Sequence, residues 1–307
     1  MELAIDALIS KIEELDNPTC VGLDTCIEYL PQKWQEKCGN FEDAGRYIRD
    51  FNLGIIDAVA GIVPCVKVQI ACYEMYGAEG MRAFADTISY ARQKGLIAIA
   101  DAKRNDIGGT ARCYSAAFLG RTKLYGKELP TFESDFLTVN AYLGSDGVKP
   151  FLEDVGRYNK GIFILVKTSN PASGELQDRR LEDGRTLFEA VGDYVMEWGK
   201  PFMGKYGYSS VGAVVGCTHR EQAESLRKRL RGLFFLIPGY GAQGGKAEDI
   251  AVCFDELGRG GIVNSSRAIL TAHKNRFAGM GFDEAAREAA LLMREDLTRA
   301  IRGKANG

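Results

Sequence analysis

The chain has 307 residues, with 39 Lys and Arg against 41 Asp and Glu, so its formal net charge is −2. Hydrophobic residues make up 46% and charged residues 26%, which is average for a globular protein and excludes a disordered chain, a collagen-like fibre and a coiled coil. The near-zero charge argues against sequence-independent nucleic-acid binding, which needs a basic surface. A chain of this length buries enough surface to fold without a disulfide or a structural metal.

The N-terminal segment and the cysteines indicate a cytoplasmic protein. Residues 1–20 are acidic and amphipathic, unlike a signal peptide, and no apolar run is long enough to cross a bilayer. Eight cysteines occur without a C-x-x-C pair, so we expect reduced thiols and no zinc or redox site. His219 and His273 lack partners at metal-binding spacing, and we expect them to be solvated or packed.

Short apolar runs alternate along the chain with longer segments of helical periodicity. Nearly continuous apolar character is typical of strands buried on both faces, as in a parallel sheet. The predicted strands are Thr19–Asp24, Val63–Ile70, Leu96–Asp101, Phe136–Asn140, Gly161–Lys167, Val211–Gly216, Leu233–Pro238 and Gly260–Asn264. The predicted helices are 1–16, Phe41–Ala60, Gly77–Lys94, Arg185–Tyr206 with Asp183 and Gly184 at its start, Thr218–Arg229, and Asp283–Arg302.

Eight strands with crossover helices predict a single (β/α)8 TIM barrel domain over about residues 19–280, flanked by the two terminal helices. A doubly wound open sheet is the alternative. In a barrel the active site lies at the carboxyl ends of the strands, so polar clusters should follow the apolar runs. They do follow them on most of the predicted strands, and three of these clusters indicate chemistry.

The first cluster is Asp101-Ala-Lys103-Arg-Asn-Asp106, after the third strand. Residues two apart on a strand point to the same side, so Asp101 and Lys103 should both face the barrel mouth, with Asp106 in the turn beyond. Flanking carboxylates favour the charged form of the lysine, which makes it a proton donor and a poor Schiff-base nucleophile. The alternative interpretation is a surface row of ion pairs.

The second cluster combines the Gly-rich segment from Pro238 to Gly245 with Ser266 and Arg267. The loops after strands seven and eight often build phosphate sites in barrels. Glycines let backbone N–H groups approach phosphate oxygens, and Ser266 and Arg267 should add donors where a helix begins. Gln243 is placed to cap the phosphate or to reach a second polar group of the ligand. An ordinary glycine turn with a helix-capping serine is the alternative.

The third cluster, Lys167-Thr168-Ser169-Asn170-Pro171, follows the fifth strand. Its hydroxyl and amide groups suit hydrogen bonding to a planar polar ring. A turn dictated by Asn170 and Pro171 explains the same residues equally well.

Together these residues resemble the orotidine 5′-phosphate decarboxylase family, from about Cys20 to Leu270. The matching motifs are VGLD on strand one, Lys67 on strand two, D-x-K-x-x-D-I on strand three, PG-x-GAQGG on strand seven and an Arg after strand eight. KTSNP and the chain length resemble the longer form of that family. The resemblance implies decarboxylation of orotidine 5′-monophosphate to UMP and CO2, the last step of de novo pyrimidine synthesis, in a cytoplasmic homodimer without metal or organic cofactor.

The resemblance also implies roles for individual residues. Lys103 would donate the proton to C6 of the pyrimidine, and Asp101 would lie beside the departing carboxylate. Asp106, with Thr110 beside it, would cross the dimer interface to complete the neighbouring site. The implied substrate contacts are Asp24 and Lys67 for the ribose, Ser169 for the pyrimidine edge, Gln243 and Arg267 for the phosphate, and additionally Asn140, Pro238, Gly239 and Ser266.

Three features depart from the family's short form. Ser266 stands where a glycine is common, Tyr240 stands where a small or aliphatic residue is common, and Ala172–Arg185 lengthens the loop after strand five. The adjacent Thr168 and Ser169 also leave open which hydroxyl contacts the pyrimidine.

Two other functions remain open at this point. Sugar-phosphate lyases such as ketogulonate-phosphate decarboxylase and hexulose-phosphate synthase share the Asp-x-Lys-x-x-Asp row but use magnesium. Asp24 would then serve the metal, although no acidic residue directly flanks Lys67. A non-catalytic barrel that only binds a phosphorylated ligand is the second alternative.

Overall fold

Parallel strands close into an eight-stranded barrel in the computed structural model of the protein, which describes residues 2–241 and 245–305. In chain order the strands are β1 (Thr19–Leu23), β2 (Cys65–Gln69), β3 (Ile97–Arg104), β4 (Thr122–Leu124), β5 (Lys127–Leu129), β6 (Phe136–Val139), β7 (Gly161–Lys167), β8 (Ser209–Val215), β9 (Leu233–Pro238) and β10 (Gly261–Ser265). β4 and β5 form a separate antiparallel hairpin, and the other eight make the barrel in chain order, with β10 paired to β1. The predicted TIM barrel is confirmed, and closure rules out the open sheet.

Helices occupy the connections between the barrel strands. They are α1 (Ala4–Leu15), α2 (Gln32–Gln35), α3 (Phe41–Val59), α4 (Ala71–Glu74), α5 (Gly77–Gln93), α6 (Gly108–Phe118), α7 (Gly144–Tyr158), α8 (Gly174–Gln177), α9 (Leu187–Gly199), α10 (Arg220–Arg229), α11 (Ala247–Ala251), α12 (Arg267–Leu270) and α13 (Phe282–Ala305). Each strand that the sequence predicts is present, with ends that agree to within two residues except for β3, which continues three residues past the predicted end at Asp101. None of the helices in the described ranges is long and apolar enough to cross a membrane.

The sequence analysis missed α6 and α7 and misplaced the ends of α9. α7 contains Pro150 and three glycines, which weaken a helical pattern, but its apolar face is buried against the barrel. α9 begins after Thr186, whose side chain and backbone exchange hydrogen bonds with Glu189 in a capping box. The predicted start at Asp183 and Gly184 and the predicted end at Tyr206 are therefore wrong. The helix stops at Gly199, before a 3-10 turn that contains a proline.

One end of the barrel is closed by α1. Ile5, Leu8 and Ile9 of this helix belong to the same buried apolar cluster as Phe136 and Phe163, which stack inside the barrel with ring centroids 5.0 Å apart. A second cluster fills the space between the strands and the surrounding helices. With the bottom sealed by apolar side chains, the polar carboxyl ends of the strands are left to form the site.

One cysteine pair bears on the prediction of reduced thiols. The sulfur atoms of Cys217, after β8, and Cys253, after α11, lie next to each other although 36 residues separate the two cysteines in the chain. Their proximity depends on the closure of the barrel, so the spacing of cysteines in the sequence does not reveal it. The other six cysteines are free, and Cys20 and Cys65 among them are buried. The predicted packing role fits His273, which lies beside the stacked rings of Phe51 and Phe282.

Candidate active site

A cavity of about 550 Å³ opens at the carboxyl end of the barrel. The expected location of the polar clusters is therefore correct, since all three contribute to its wall. The residues that line it are Asp24, Tyr29, Lys67, Gln69, Asp101, Lys103, Thr138, Leu165, Thr168, Ser169, Asn170, Val214, Leu236, Pro238, Gly239, Tyr240, Asn264, Ser265, Ser266 and Arg267.

Four charged side chains form an alternating row along one wall, which we call the charge row (Asp24, Lys67, Asp101 and Lys103). Lys67 Nζ lies 3.0 Å from Asp24 Oδ1 and 2.8 Å from Asp101 Oδ2. Lys103 Nζ lies 2.6 Å from Asp101 Oδ1. The strand register explains the arrangement, because Gln69, two residues after Lys67 on β2, pairs with Asp101 on β3. Neighbouring strands thus bring opposite charges together at one level of the barrel.

The middle of the charge row is held in its ionised form. Burial opposes charge on Lys67, but the carboxylates of Asp101 and Asp24 raise its pKa above the ordinary lysine value. Burial likewise opposes charge on Asp101, but the ammonium groups of Lys67 and Lys103 hold its pKa below the ordinary aspartate value. Asp101 is therefore a fixed negative charge beside the amine of Lys103, which is half exposed to the cavity.

Lys103 sits in an uncommon backbone conformation. Its φ is +49°, in the left-handed region that a residue with a Cβ rarely adopts, and the β3–β6 register shifts at this point. Thr138 of β6 stabilises the irregularity, since its hydroxyl accepts the Lys103 N–H at 2.9 Å and donates to Asp101 Oδ1 at 2.8 Å. Thr138 thereby fixes both members of the pair, in a backbone position that points to function.

Three predicted site residues do not line this cavity. Asp106 caps the N–H of Ile107 and makes no ion pair with Lys103, so the expected flanking of that lysine by two carboxylates is not formed within one chain. Thr110 is exposed on α6. The side-chain oxygen of Asn140 accepts the N–H of Tyr142 in the turn after β6, so its predicted substrate contact gains no support from this cavity.

The second cluster supplies the opposite end of the cavity. Pro238, Gly239, Ser266 and Arg267 all line it, and Arg267 begins α12 as expected. The Arg267 Nε donates to the hydroxyl of Tyr29 at 3.3 Å. Gln243, the other predicted phosphate contact, lies outside the described residues.

The unusual residues of the second cluster have structural partners. A Cβ at Gly22 would collide with Ser266 Oγ and lie 2.9 Å from Asn264 Oδ1, so the glycine of VGLD makes room for β10. The Tyr240 hydroxyl donates to Asp296 of α13 at 2.7 Å, which anchors the segment after β9 to the C-terminal helix. A large residue at this position is therefore explained by its packing.

The two hydroxyls of the third cluster differ in their hydrogen bonds within the protein. The Thr168 hydroxyl accepts from Gln177 Nε2 at 2.8 Å and donates to Asn170 Oδ1 at 2.6 Å, so both of its functions are used within the protein. The Ser169 hydroxyl makes no hydrogen bond within residues 2–241 and 245–305 while lining the cavity. Ser169 is thus the hydroxyl that remains for a ligand.

Sequence reasoning did not assign five polar residues of the cavity to the site: Gln69, Thr138, Tyr29, Asn264 and Ser265. Gln69 donates to Asp101 Oδ2 at 3.0 Å and stands two residues after Lys67, so strand alternation was a usable signal. Thr138 likewise stands two residues before Asn140. Tyr29 belongs to a 3-10 turn after β1 and gives no comparable signal.

The charge row also bears on the magnesium alternative. In the part of the chain that the structure describes, no three His, Cys, Asp or Glu side chains are grouped as metal ligands. Asp24 and Asp101, the carboxylates best placed for a divalent cation, are already bridged by the ammonium group of Lys67.

The fold and the site define a (β/α)8-barrel enzyme with a charge row at one end of its cavity and an arginine beside glycine-rich sequence at the other. Residues 18–280 match the family model described as Orotidine 5'-phosphate decarboxylase / HUMPS family. The orotidine 5'-phosphate decarboxylases of Clostridium perfringens (strain SM101) and Clostridium tetani are 43% and 42% identical, over 96% and 98% of this chain and 98% and 100% of theirs. A Toxoplasma gondii crystal structure described as an orotidine-monophosphate decarboxylase superposes with a TM-score of 0.81 at 28% identity, covering 98% of both chains.

The chain therefore belongs to the orotidine 5'-phosphate decarboxylase / HUMPS family. The resemblance seen in the sequence and the expectation of an enzyme of this family are both confirmed.

Proposed function

We propose that the protein decarboxylates orotidine 5′-monophosphate to UMP and CO2, the last step of de novo pyrimidine synthesis. The observation that carries the proposal is the 2.6 Å contact between Lys103 Nζ and Asp101 Oδ1 within the charge row. The names of the relatives and the phosphate-type loops after β9 and β10 support the same substrate.

The reaction needs a fixed cation beside C6 of the pyrimidine. When the bond from C6 to the carboxylate breaks, CO2 leaves and the electron pair stays at C6, orthogonal to the ring π system. The Lys103 ammonium group stabilises this developing charge and then transfers one of its protons to C6, which gives UMP. Asp101 holds the ammonium group in place through a short charge-assisted hydrogen bond.

Asp101 also acts on the substrate carboxylate. A carboxylate bound against a fixed negative charge is repelled, and the repulsion disappears as neutral CO2 departs. Lys67 and Thr138 keep Asp101 charged and oriented during this step. Binding of the distant phosphate by Arg267 offsets the unfavourable approach of the two carboxylates. Cofactor independence belongs to this proposal, because Lys67 and Lys103 supply the cationic charge that the reaction uses.

We infer that the active unit is a cytoplasmic homodimer in which Asp106 and Thr110 complete the neighbouring site. Both residues follow Lys103 closely in the chain but stay outside their own cavity. Exposed apolar side chains surround them, since Ile107 is 58% and Leu143 is 47% exposed. Such side chains at the rim of a site favour coverage by a second copy of the chain.

A turnover assay tests the reaction and the proton donor together. Orotidine 5′-monophosphate is added to the purified protein with excess chelator, and the ultraviolet loss of substrate is followed for wild type, Lys103→Ala and Lys123→Ala. We expect conversion to UMP by wild type and by Lys123→Ala, whose lysine is exposed on the β4–β5 hairpin. Lys103→Ala should lose activity by at least about 10⁴-fold, since it removes both the cation and the acid. Absence of conversion by folded wild type would overturn the proposal, and loss only in chelator would favour the magnesium alternative.

Subunit mixing tests the shared site. Lys103→Ala and Asp106→Ala are each expected to be inactive as homodimers. A mixed dimer contains one site with both native residues, so dissociation and random reassociation should restore about a quarter of wild-type activity. An active monomer in sedimentation, or no recovery on mixing of exchanged subunits, would remove Asp106 from the neighbouring site.

A further inference from the structure

Three cavity-lining residues after β7, Thr168, Ser169 and Asn170, form what we call the recognition segment. Two residues further along the same loop, Gln177 and Asp178, hold this segment in place, and we call them the bracket. This inference rests on the proposed function, in which the segment faces the pyrimidine. It concerns Gln177 and Asp178, in the middle of the lengthened loop. Neither residue lines the cavity.

The bracket is anchored by an ion pair between a buried lysine and a partly exposed aspartate. Lys167, the last residue of β7, is 1% exposed, and its Nζ lies 2.6 Å from Asp178 Oδ1. The same ammonium group lies over the ring of Phe188 at 5.3 Å, and Gln222 of α10 donates to Asp178 Oδ1 at 3.3 Å. A buried lysine is costly without a partner, so this pair fixes the end of α8 next to the end of β7.

Gln177 reaches from this anchor to the recognition segment with both ends of its amide. Its Oε1 accepts the Thr168 N–H at 3.0 Å, and its Nε2 donates to the Thr168 hydroxyl at 2.8 Å. The hydroxyl then directs its proton to Asn170 Oδ1 at 2.6 Å. Each donor in this chain meets an acceptor, so the orientation of the Gln177 amide determines that of the Asn170 amide.

The neighbouring strand holds the other side of the segment. The Thr218 hydroxyl donates to the Ser169 carbonyl at 3.2 Å, and the Gly216 N–H donates to the Lys167 carbonyl at 2.7 Å. A Cβ at Gly216 would lie 2.8 Å from the Cβ of Ser169, so the two backbones are in close contact. The recognition segment is therefore held between the end of β8 and Gln177.

We propose that Gln177 is a positioning residue that sets the preference for a pyrimidine with an imide edge. With its oxygen occupied by Thr168, Asn170 has only its NH2 group left to offer a ligand, and Ser169 has a hydroxyl that can accept. Such a pair suits a ring that presents a carbonyl next to an N–H, as uracil and orotate do. Cytosine presents an amino group where uracil presents a carbonyl, so two donors would face each other at the Asn170 NH2 group.

Binding measurements separate this role from a structural one. Isothermal titration with UMP, CMP and ribose 5-phosphate compares wild type, Gln177→Met and Glu175→Ala, the last altering an exposed side chain of the same short helix. Gln177→Met should bind UMP about tenfold more weakly because one oriented hydrogen bond to the base is lost. Its affinity for ribose 5-phosphate should be unchanged, and its preference for UMP over CMP should narrow. Glu175→Ala should match wild type in all three.

Kinetics give a second readout. Base contacts made equally in the ground state and the transition state affect KM, so Gln177→Met should raise KM for orotidine 5′-monophosphate with kcat changed less than about twofold. Thr168→Val removes the hydroxyl between Gln177 and Asn170 but leaves the hydrogen bond from the Thr168 N–H to Gln177. It should likewise raise KM with little change in kcat, and it replaces Gln177→Met if that variant is too unstable to assay. Equal weakening of UMP and ribose 5-phosphate, or an unchanged ratio of UMP to CMP affinity in both variants, would overturn the inference. Failure of wild type to turn over substrate would instead overturn the proposed function.

Discussion

The two walls of the cavity are built in different ways. On the β1–β3 wall the functional groups stand on the strands themselves, at positions fixed by strand pairing. On the β7–β8 wall they stand in a loop, and side chains from a later part of that loop and from the neighbouring strand hold them in place. The charge row therefore inherits the rigidity of the barrel, whereas the recognition segment depends on a small set of hydrogen bonds.

The supports behind the two walls differ in the same sense. The end of β1 is backed by a buried polar network, in which Tyr73 donates to the Leu23 carbonyl at 3.0 Å and accepts from Asn52 at 2.8 Å. The recognition segment is backed by Gln177 and Asp178, both partly exposed to solvent. Changes on the first wall should act on the chemical step, and changes on the second should act on binding and on local stability.

The largest expected effect lies on the strand wall. Asp101→Asn keeps the shape of the side chain but removes the fixed charge that holds Lys103 and repels the substrate carboxylate. We expect kcat to fall by about 10³-fold or more, with KM changed far less. Steady-state kinetics measure the effect. The control is Asp86→Asn, which alters an exposed aspartate on α5 and should leave kcat and KM unchanged. A kcat within tenfold of wild type would show that the charge row is structural.

The next effect lies on the loop wall and concerns stability. Asp178→Ala leaves the Lys167 ammonium group buried without its carboxylate, and we expect a loss of about 3 kcal/mol in the free energy of unfolding. Adding Lys167→Met should recover most of it, since the uncompensated charge is then gone. Denaturant unfolding measures the free energy of unfolding of the single and the double variant. The control is Glu224→Gln, which breaks an exposed ion pair with Lys228 and should cost less than about 1 kcal/mol. Equal losses in Asp178→Ala and Glu224→Gln would show that the pair is not an anchor.

The smallest effect is the pH dependence of the strand wall. Because the folded pKa of Asp101 is lowered, its ionisation stabilises the protein above the unfolded value of about 4 and this contribution is lost as the pH falls. Because the folded pKa of Lys67 is raised, its contribution is complete below about pH 10 and is lost at higher pH. The difference in unfolding free energy between wild type and Asp101→Asn should be constant from about pH 5 to 9 and should shrink by about 2 kcal/mol on acidification. A difference that stays constant to pH 2 would contradict the assigned direction of the Asp101 shift.

The strand wall was largely predictable from the sequence, and the loop wall was not. Asp101 and Lys103 stand two residues apart on a recognisable strand, so their common orientation follows from local geometry. The position of Lys67 between Asp24 and Asp101 depends on the register of three strands. The positive φ of Lys103 is accompanied by the hydrogen bond that its N–H donates to the Thr138 hydroxyl. The role of Gln177 could not be predicted from the sequence. Its partner Thr168 stands nine residues earlier, and a contact at that spacing within a loop belongs to no periodic pattern.

The eight barrel strands and the chemical types gathered at their carboxyl ends could be read from the amino-acid sequence, whereas closure of the sheet into a barrel was established by the structure. Apolar runs and strand alternation are local properties that survive in a one-dimensional pattern. The tertiary structure was needed to show which charged side chains are in contact and that the Thr168 hydroxyl is hydrogen-bonded within the protein. It was also needed to show that Cys217 lies next to Cys253. Contacts between residues that are distant in the chain depend on the packing of whole elements, and no local pattern of residues encodes that packing.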